Sequence, residues 1–306
     1  MQVSYGSRSH PSDYSLSTAD LGPLCLPPLG EQIREQLPLA PQQYRQVSRF
    51  HLWQDRQLSL GLASVPVADK DILTLSESIY DELFELTREA YLFRIWNYIP
   101  HINSGDGDQE RYRKFCAGRS QSFHNAFGEN EIAYMPAGTC VGNDSDYLTI
   151  LFIAADSRPD HHENPNQTPA YRYPRQYGPK SPSFARATTG TINGAHHRYI
   201  SGTAAVLGHE SQAIGDLAGQ IEITCDNLER IAAQTLVGTD YQAAEQTLLS
   251  GKVYLRHPEH YTEAKALLQR RFPQFADKFI YLRSDICRHD LLVEIELAFI
   301  DPIKAT

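Results

Sequence analysis

The sequence lacks long apolar segments and has a deficit of positive charge. Of its 306 residues, 28 are Lys or Arg and 37 are Asp or Glu, which gives a formal net charge of −9. A membrane-spanning helix needs about 20 consecutive apolar residues, and no run approaches that length. No cluster of basic residues offsets the acidic balance locally. These absences argue against a membrane protein and against a general nucleic-acid-binding protein.

Cysteine is also scarce, and its spacing excludes two common uses. The five cysteines are scattered and no CxxC pair occurs; they are Cys25, Cys116, Cys140, Cys225 and Cys287. An odd, scattered set argues against a disulfide framework and against a zinc site. The first residues lack the basic-then-apolar order of a secretory signal. We therefore expect a cytoplasmic protein with free thiols.

Motifs for the common cofactors are missing as well. The sequence has no GxGxxG after a strand, no Walker A loop and no GxSxG elbow. Two His–His pairs occur, at 161–162 and 196–197. Adjacent residues in a strand point to opposite faces, so each pair is a poor chelator. The sequence predicts no nucleotide, flavin or metal cofactor.

The order of patterns along the chain predicts an α+β fold. Residues 1–45 are rich in Ser, Pro and Gln and are interpreted as an arm over the body of the protein. The remainder contains two sets of strands, each with a long helix, which favours sheets covered by helices on one face. The boundaries fall at 46–156 and 157–306. Segments 72–99 and 212–256 share a helix-then-strand order typical of an internal duplication.

The stretch from Tyr281 to Leu297 carries the strongest chemical signal. It predicts two strands joined by a short polar turn, roughly Phe279 to Cys287 and Leu291 to Ile300. In the second strand, Glu294 and Glu296 alternate with Val293, Ile295 and Leu297.

Two interpretations of Glu294 follow from this alternation. A buried carboxylate has a raised pKa, because desolvation disfavours its charged form, and it can then act as a general acid. Alternating glutamates also mark an ordinary solvated strand face. If the two strands pair, Cys287 and Arg283 reach the same pocket as Glu294.

Three further segments are candidates for ligand binding. Pro174–Ala187 presents Tyr177 and Arg186 on a proline-stiffened loop, which is either a surface for an anion or a plain crossover. The basic segment from Arg111 includes Tyr112 and Arg119, which form either a carboxylate clamp or a solvated helix face. Small residues in Ile200–Ser211 indicate close approach of a ligand or of another backbone.

Three of these motifs together resemble the chorismatase family. They are PRQYGPKSPSFARA, ISGTAAVLGHES and SDICRHDLLVEIE, with weaker similarity in YRKFCAGRSQSF. The closing VEIE also resembles the RidA-type fold on which the family's C-terminal domain is built. The resemblance implies two RidA-like units, each an antiparallel or mixed sheet with helices on one face. The arm has no counterpart in it.

The resemblance implies a reaction and a set of site residues. Chorismatases protonate the enolpyruvyl group of chorismate and release pyruvate, and the family's acid matches Glu294. The substrate is a dianion, so it needs local cationic and hydroxyl partners. The candidates are Arg119, Tyr177, Arg186, Arg283 and Tyr112, with Gly215 shaping the pocket.

The branches of the family differ in the second product. A cysteine on the strand before the acid is typical of the 3-hydroxybenzoate-forming branch, and that position is Cys287 here. A buried cysteine is also an ordinary core residue. The alternatives are a branch that yields 3- and 4-hydroxybenzoate, and a hydrolase that yields a dihydroxycyclohexadiene carboxylate.

Two other classes of function remain open at this point. One is a RidA-type deaminase, which the long loop and the extra N-terminal half disfavour. The other is a non-catalytic module that binds an aromatic acid. RidA-type proteins place their sites between subunits, so a duplicated chain predicts a monomer with the corresponding pairing inside one molecule.

Overall fold

The computed structural model describes residues 1–6, 21, 24–67, 71–236 and 248–302. Its helices are α1 (Ile72–Leu86), α2 (Arg111–Phe127), α3 (Leu217–Gln234) and α4 (Tyr261–Arg271). Its strands are β1 (Gln2–Gly6), β2 (Leu24–Cys25), β3 (Arg34–Gln36), β4 (Gln43–Val47), β5 (Phe50–Gln54), β6 (Leu58–Pro66), β7 (Tyr91–Pro100), β8 (Ala137–Asn143), β9 (Tyr147–Ala155), β10 (Asp160–His162), β11 (Ala187–Ile192), β12 (Ala195–Thr203), β13 (Val206–Leu207), β14 (Glu210–Ser211), β15 (Leu248–Leu255), β16 (Phe279–Arg283) and β17 (Val293–Pro302).

Two six-stranded sheets have the same connectivity. The first has the order β4-β5-β6-β9-β7-β8 and the second has the order β10-β11-β12-β17-β15-β16. In both, the pair at the far edge is parallel and the other neighbours are antiparallel. In both, the last strand in sequence lies in the interior of the sheet. This shared order is the structural form of the predicted duplication.

The helices cover the outer faces and the sheets face each other. In α1, apolar residues at three- and four-residue steps are buried: Ile72, Leu75, Ile79 and Leu83. One apolar core lies between α1, α2 and the first sheet, and another between α3, α4 and the second sheet. A third core fills the space between the two sheets. Within the described ranges, no helix combines the length and apolar character needed to cross a bilayer.

Gly118 allows α2 to lie directly against α1. A Cβ placed on Gly118 would clash with the backbone oxygen of Leu73 and the hydroxyl of Ser76. Glycine inside a helix costs roughly 1 kcal/mol relative to alanine, and this close approach is its physical reason. The approach holds the next residue, Arg119, at the inner side of α2.

The N-terminal arm enters the core as well as covering it. Strands β1, β2 and β3 form a small sheet, and Val3, Tyr5, Leu37 and Leu39 are buried in the core between the sheets. Residues 7–20 of the predicted arm lie outside the described residues. Glu35 on β3 is also buried, at 3% exposure.

The last two strands do not pair with each other, so the condition under which Arg283 would reach the pocket of Glu294 is not met. Strand β15 lies between β16 and β17, and β16 runs parallel to β15. A strand from earlier in the chain therefore separates the two that adjoin in sequence. The alternation in β17 is confirmed: Val293, Ile295 and Leu297 pack toward the helices, while Ala298 packs between the sheets.

Candidate active site

A cavity of about 500 Å³ opens between the two units. The first unit contributes residues of α2 and β8 to its wall, and the second contributes β12, β17 and the loops that precede β11 and β17. Its volume is within the range of small-molecule sites. Each segment singled out in the sequence contributes to this cavity, and the residues below are taken in the order of their chemistry.

Glu294 lies at the bottom of the cavity on the inner face of β17. Its side chain is 4% exposed, and no hydrogen bond to its carboxyl group is found within the described part of the chain. Gly202 on β12 leaves the room it occupies, because a Cβ there would clash with Glu294 Oε1. Burial, reinforced by the charge of Glu296, raises the pKa of Glu294 to about 8.

Glu296 lies two residues further along β17, and its pKa is shifted in the opposite direction to that of Glu294. It accepts hydrogen bonds from Trp96 Nε1 at 2.6 Å and Arg94 Nη2 at 2.7 Å, and Lys252 Nζ lies 2.8 Å away. Burial alone would raise its pKa, but Lys252 and Arg94 outweigh burial and lower the pKa to about 2. One strand therefore holds a neutral acid beside a fixed anion.

Arg119 supplies a buried cation from the first unit. It is 3% exposed, and its guanidinium lies over the rings of Tyr80 and Phe123, at 5.1 and 5.6 Å from the centroids. Its Nε and Nη2 atoms have no hydrogen-bond partner among the residues that the structure describes. A buried guanidinium with free N–H groups at a cavity is a site for an anion, because such groups are costly to leave unpaired.

Arg186 supplies a second cation from the loop before β11. Its Nη2 atom donates to Tyr173 Oη at 2.7 Å and to the Thr168 carbonyl at 3.0 Å. Its Nε atom is buried and has no partner within the described ranges. The guanidinium also lies 5.2 Å from the ring of Phe184. These contacts fix its orientation and leave the Nε donor available.

Arg288 lines the cavity and was not among the predicted site residues. Its guanidinium stacks 3.9 Å from the ring centroid of Tyr177 and 5.0 Å from that of Tyr173. Its Nη1 atom donates to the His209 carbonyl at 2.8 Å. Arg288 directly follows Cys287 in the motif SDICRHDLLVEIE. Its positive charge at that place could have marked it as a candidate anion-binding residue. Thr139, Gln167 and Phe184 of the wall carried no such signal.

Three cysteines line the cavity: Cys116, Cys140 and Cys287. Burial, followed by the nearby Glu294, raises the pKa of Cys287 to about 12. Burial also raises the pKa of Cys116 to about 12. Their thiols are neutral at ordinary pH. Cys287 is therefore placed to touch a bound molecule as a small polarisable side chain.

The structure brings most of the predicted binding residues together, but not all. Tyr112, Arg119, Tyr177 and Arg186 line the cavity with Glu294 and Cys287. Arg283 and Gly215 do not line it. Arg283, on β16, pairs with Asp144 at 2.7 Å and Asp285 at 3.4 Å, because β15 separates its strand from β17. Gly215 occupies a turn before α3, with φ of +80° and open space around it.

The charges of the wall match an anion with two negative charges. Four arginines line the cavity: Arg113, Arg119, Arg186 and Arg288. Their carboxylate neighbours are Glu110 and Asp290, while Glu294 holds its proton. This leaves an excess of two positive charges inside a protein of net charge −9. The fold and the site thus define a two-unit α+β protein with a buried acid facing an anion-binding cavity.

Comparisons with known proteins agree with this description. The family model described as "Chorismatase FkbO/Hyg5-like, N-terminal" matches residues 38–154. A 3-hydroxybenzoate synthase of Streptomyces hygroscopicus is 37% identical over 233 residues, covering 72% of this chain and 68% of the relative. A chorismatase of Streptomyces rapamycinicus is 36% identical over 248 residues, covering 77% of this chain and 72% of the relative.

A solved structure extends the likeness to the fold. The crystal structure of a chorismatase superposes with a TM-score of 0.75 at 31% identity, covering 85% of this chain and 80% of that one. The predicted α+β fold is confirmed, and the chain belongs to the chorismatase family. It is an enzyme of that type.

Proposed function

We propose that this enzyme converts chorismate to 3-hydroxybenzoate and pyruvate, with Glu294 as the general acid. The observation that carries the proposal is a neutral, unpaired carboxylic acid facing a cavity with an excess of two positive charges. Glu294 donates its proton to the methylene carbon of the enolpyruvyl ether, which places positive charge on the ether carbon.

The hydroxyl oxygen on the neighbouring ring carbon bonds to the ether-bearing ring carbon as the bond between that carbon and the ether oxygen breaks. Pyruvate leaves with the ether oxygen as its ketone oxygen, and the hydroxyl proton returns to Glu294. The resulting epoxide opens at the carbon that first carried the hydroxyl, and the proton lost from the other carbon neutralises the phenolate oxygen, which gives 3-hydroxybenzoate. Pyruvate and 3-hydroxybenzoate together contain the atoms of chorismate, with no net water.

Arg119 and Arg186 are the proposed carboxylate-binding residues. Each has a buried N–H donor that finds no partner in the described part of the chain, and a carboxylate of the dianion would satisfy it. Hydrogen bonds to charged groups contribute about 1.5–3 kcal/mol each. The stacking of each guanidinium on aromatic rings fixes its plane in advance. Tyr112 and Tyr177 add hydroxyl groups to the same wall.

Cys287 supports the 3-hydroxybenzoate branch over the two alternatives. Its neutral thiol lines the cavity near Glu294, where it occupies space that a water molecule would otherwise take. The relative named 3-hydroxybenzoate synthase is 37% identical to this chain. If water does enter, the product is the dihydroxycyclohexadiene carboxylate, and a mixture with 4-hydroxybenzoate defines the dual-product branch.

The proposed site is complete within one chain. The acid comes from the second unit and Arg119 from the first, so the pairing of units inside one molecule supplies both. We therefore propose a monomer. All five cysteines are thiols outside any disulfide of the described residues, which supports a reducing, cytoplasmic location.

Pyruvate release from chorismate tests the proposal. Lactate dehydrogenase reports pyruvate, and liquid chromatography resolves the second product. We expect 3-hydroxybenzoate in equal amount to pyruvate, and a fall of about 10²- to 10⁴-fold in kcat for Glu294→Gln, the usual contribution of a general acid. The matched control is Glu82→Gln, which changes a carboxylate paired with Arg49 on the first unit. Unchanged turnover in Glu294→Gln would refute the mechanism, and chorismate binding without pyruvate would indicate a binding module.

A further inference from the structure

Four charged side chains form a buried cluster between the two sheets. Arg94 and Lys252 carry positive charge, and Glu35 and Glu296 carry negative charge; each is at most 4% exposed. Lys252 Nζ lies 2.8 Å from Glu35 Oε2 and 2.8 Å from Glu296 Oε1. Arg94 Nη2 lies 2.7 Å from Glu296 Oε2. Lys252 therefore bridges the two carboxylates, and the charges of the cluster balance.

Glu35 reaches this cluster from the N-terminal arm. Tyr5 Oη donates to Glu35 Oε2 at 2.7 Å and Ser250 Oγ donates to Oε1 at 2.8 Å. With Lys252, these donors satisfy both carboxylate oxygens. A buried carboxylate costs several kcal/mol unless it is paired and hydrogen-bonded. The arm thus places in the core a carboxylate whose two oxygen atoms both have hydrogen-bond partners. A segment that only covered the surface would not need such a buried charge.

The cluster adjoins the proposed acid. Glu294 and Glu296 are two residues apart on one face of β17, a separation of about 7 Å along the strand. Charged groups act on Glu294 from three elements: Glu296 from its own strand, Arg94 from β7 and Arg186 from the loop before β11. The thiols of Cys140 on β8 and Cys287 in the loop before β17 are also electrostatically coupled to it. Tyr98, Tyr199 and Tyr254 also surround the cluster, and burial raises the pKa of each above the ordinary range.

We propose that Glu35 is a positioning residue for the reaction: by balancing the charge of Lys252, it keeps Glu294 protonated. The proposal rests on the proposed function in that Glu294 is the acid. Glu35 touches neither the cavity nor the substrate. It acts because Lys252 and Arg94 together would otherwise exceed the single negative charge of Glu296.

Removing the charge of Glu35 leaves the cluster with one net positive charge. A positive charge favours the ionised form of a nearby carboxyl group, so Glu294 should lose its proton at lower pH. A unit charge at roughly 12 Å in a medium of effective dielectric constant about 20 shifts a titration midpoint by about one pH unit. With its pKa lowered from about 8 by about one unit, the acid would then be roughly half ionised at pH 7.

The direct test is the titration of Glu294 in protein labelled with ¹³C at the glutamate carboxyl, with its resonance assigned by its loss in Glu294→Gln. We expect Glu35→Gln to lower the midpoint by about one pH unit and Glu35→Asp to lower it less. Glu82→Gln, which removes a carboxylate from a surface pair of the first unit, should leave it in place. An unmoved midpoint in folded Glu35→Gln overturns the proposal.

A double-mutant cycle gives a second measurement if Glu35→Gln does not fold. Lys252→Met should raise the midpoint, because it leaves the cluster with a net negative charge. Adding Glu35→Gln restores balance, so the double variant should titrate about one pH unit below Lys252→Met. Equal midpoints in those two proteins would also refute the role of Glu35.

The titration needs no substrate, so it is independent of the proposed reaction. If wild type releases no pyruvate from chorismate but Glu35→Gln lowers the midpoint, the proposed function fails and the electrostatic role stands. If pyruvate is released but the midpoint does not move, the proposed function stands and the electrostatic role of Glu35 fails. Where both hold, the alkaline limb of the kcat/KM profile should move with the midpoint, which a purely structural role for Glu35 would not cause.

Discussion

The two sheets share one strand order but differ on their inner faces. In the first sheet, the interior strand β9 presents Leu151 and Ile153 to the core between the sheets. In the second, the corresponding strand β17 presents Glu294 and Glu296. The neighbouring strands are alike, since β7 carries Arg94 and β15 carries Lys252. Each unit therefore supplies a cation to the buried cluster, but the interior strand of the second unit presents carboxylates where that of the first presents apolar side chains.

The largest expected effect concerns the buried pair that joins the halves. Glu296→Gln leaves Arg94 and Lys252 short of a buried partner and should lower the free energy of unfolding by about 3–5 kcal/mol. Within the first unit, Glu82→Gln breaks the partly exposed pair with Arg49 and should cost at most about 1 kcal/mol. Urea unfolding measures both. Equal losses of unfolding free energy in the two variants would mean that the buried ion pairs between the two units contribute no more to stability than a partly exposed pair.

The proposed substrate-binding role of Arg119 can be tested against an arginine that lies away from the cavity. Arg119→Met should reduce kcat/KM for chorismate by about 10- to 150-fold, because one charge-assisted contact contributes about 1.5–3 kcal/mol. Arg283→Met removes a cation that pairs with Asp144 and Asp285 away from the cavity. Its kcat/KM should stay within about twofold of wild type. A similar loss in both variants would contradict the assignment.

The acid of the second unit should make stability depend on pH. The pKa of Glu294 is raised from an ordinary 4.5 to about 8, so the folded state binds its proton more tightly than the unfolded state. Its contribution to stability is full below pH 4.5 and is lost as pH rises through about 8. Glu294→Gln should therefore unfold at a higher temperature than wild type at pH 9, by roughly 2–4 °C per kcal/mol.

The control for that measurement is the same comparison at pH 4, where the two proteins should unfold at similar temperatures. Glu296 behaves in the opposite sense. Burial alone would raise the pKa of Glu296, but Lys252 and Arg94 have the larger effect and lower it to about 2. Its contribution is present above pH 4.5 and is lost as pH falls through about 2. A Glu294→Gln advantage that persists unchanged at pH 4 would mean that packing, not the proton, explains it.

The smallest expected effect is on the ratio of products. Cys287→Ala removes a neutral thiol from the cavity wall and admits water, so part of the product should shift to the dihydroxycyclohexadiene carboxylate. Total pyruvate release should change by less than about tenfold, since the acid remains. Cys225→Ala, in the core under α3, should leave the ratio unchanged. Chromatography of the products decides, and an unaltered ratio for Cys287→Ala would assign it to packing.

The sequence was informative where a local pattern carries the information. The alternation in β17 predicts which face Glu294 shares. The sequence left open whether the last two strands pair; they do not, because β15 inserts between β16 and β17, and a long-range insertion leaves no local pattern. Arg283 therefore lies away from the cavity. The bridge from Glu35 to Lys252 joins residues 217 positions apart, so no spacing rule could have found it.

The interior position of β17 has a consequence for synthesis on the ribosome. Strands β10 to β12 and strands β15 and β16 are joined to each other through β17 alone within their sheet. Because β17 follows all of them in the chain, a nascent polypeptide can assemble only two separate ribbons until β17 emerges. Early termination products would therefore expose unpaired edges and become targets for quality control. The strand that carries Glu294 is therefore also the strand that completes the sheet.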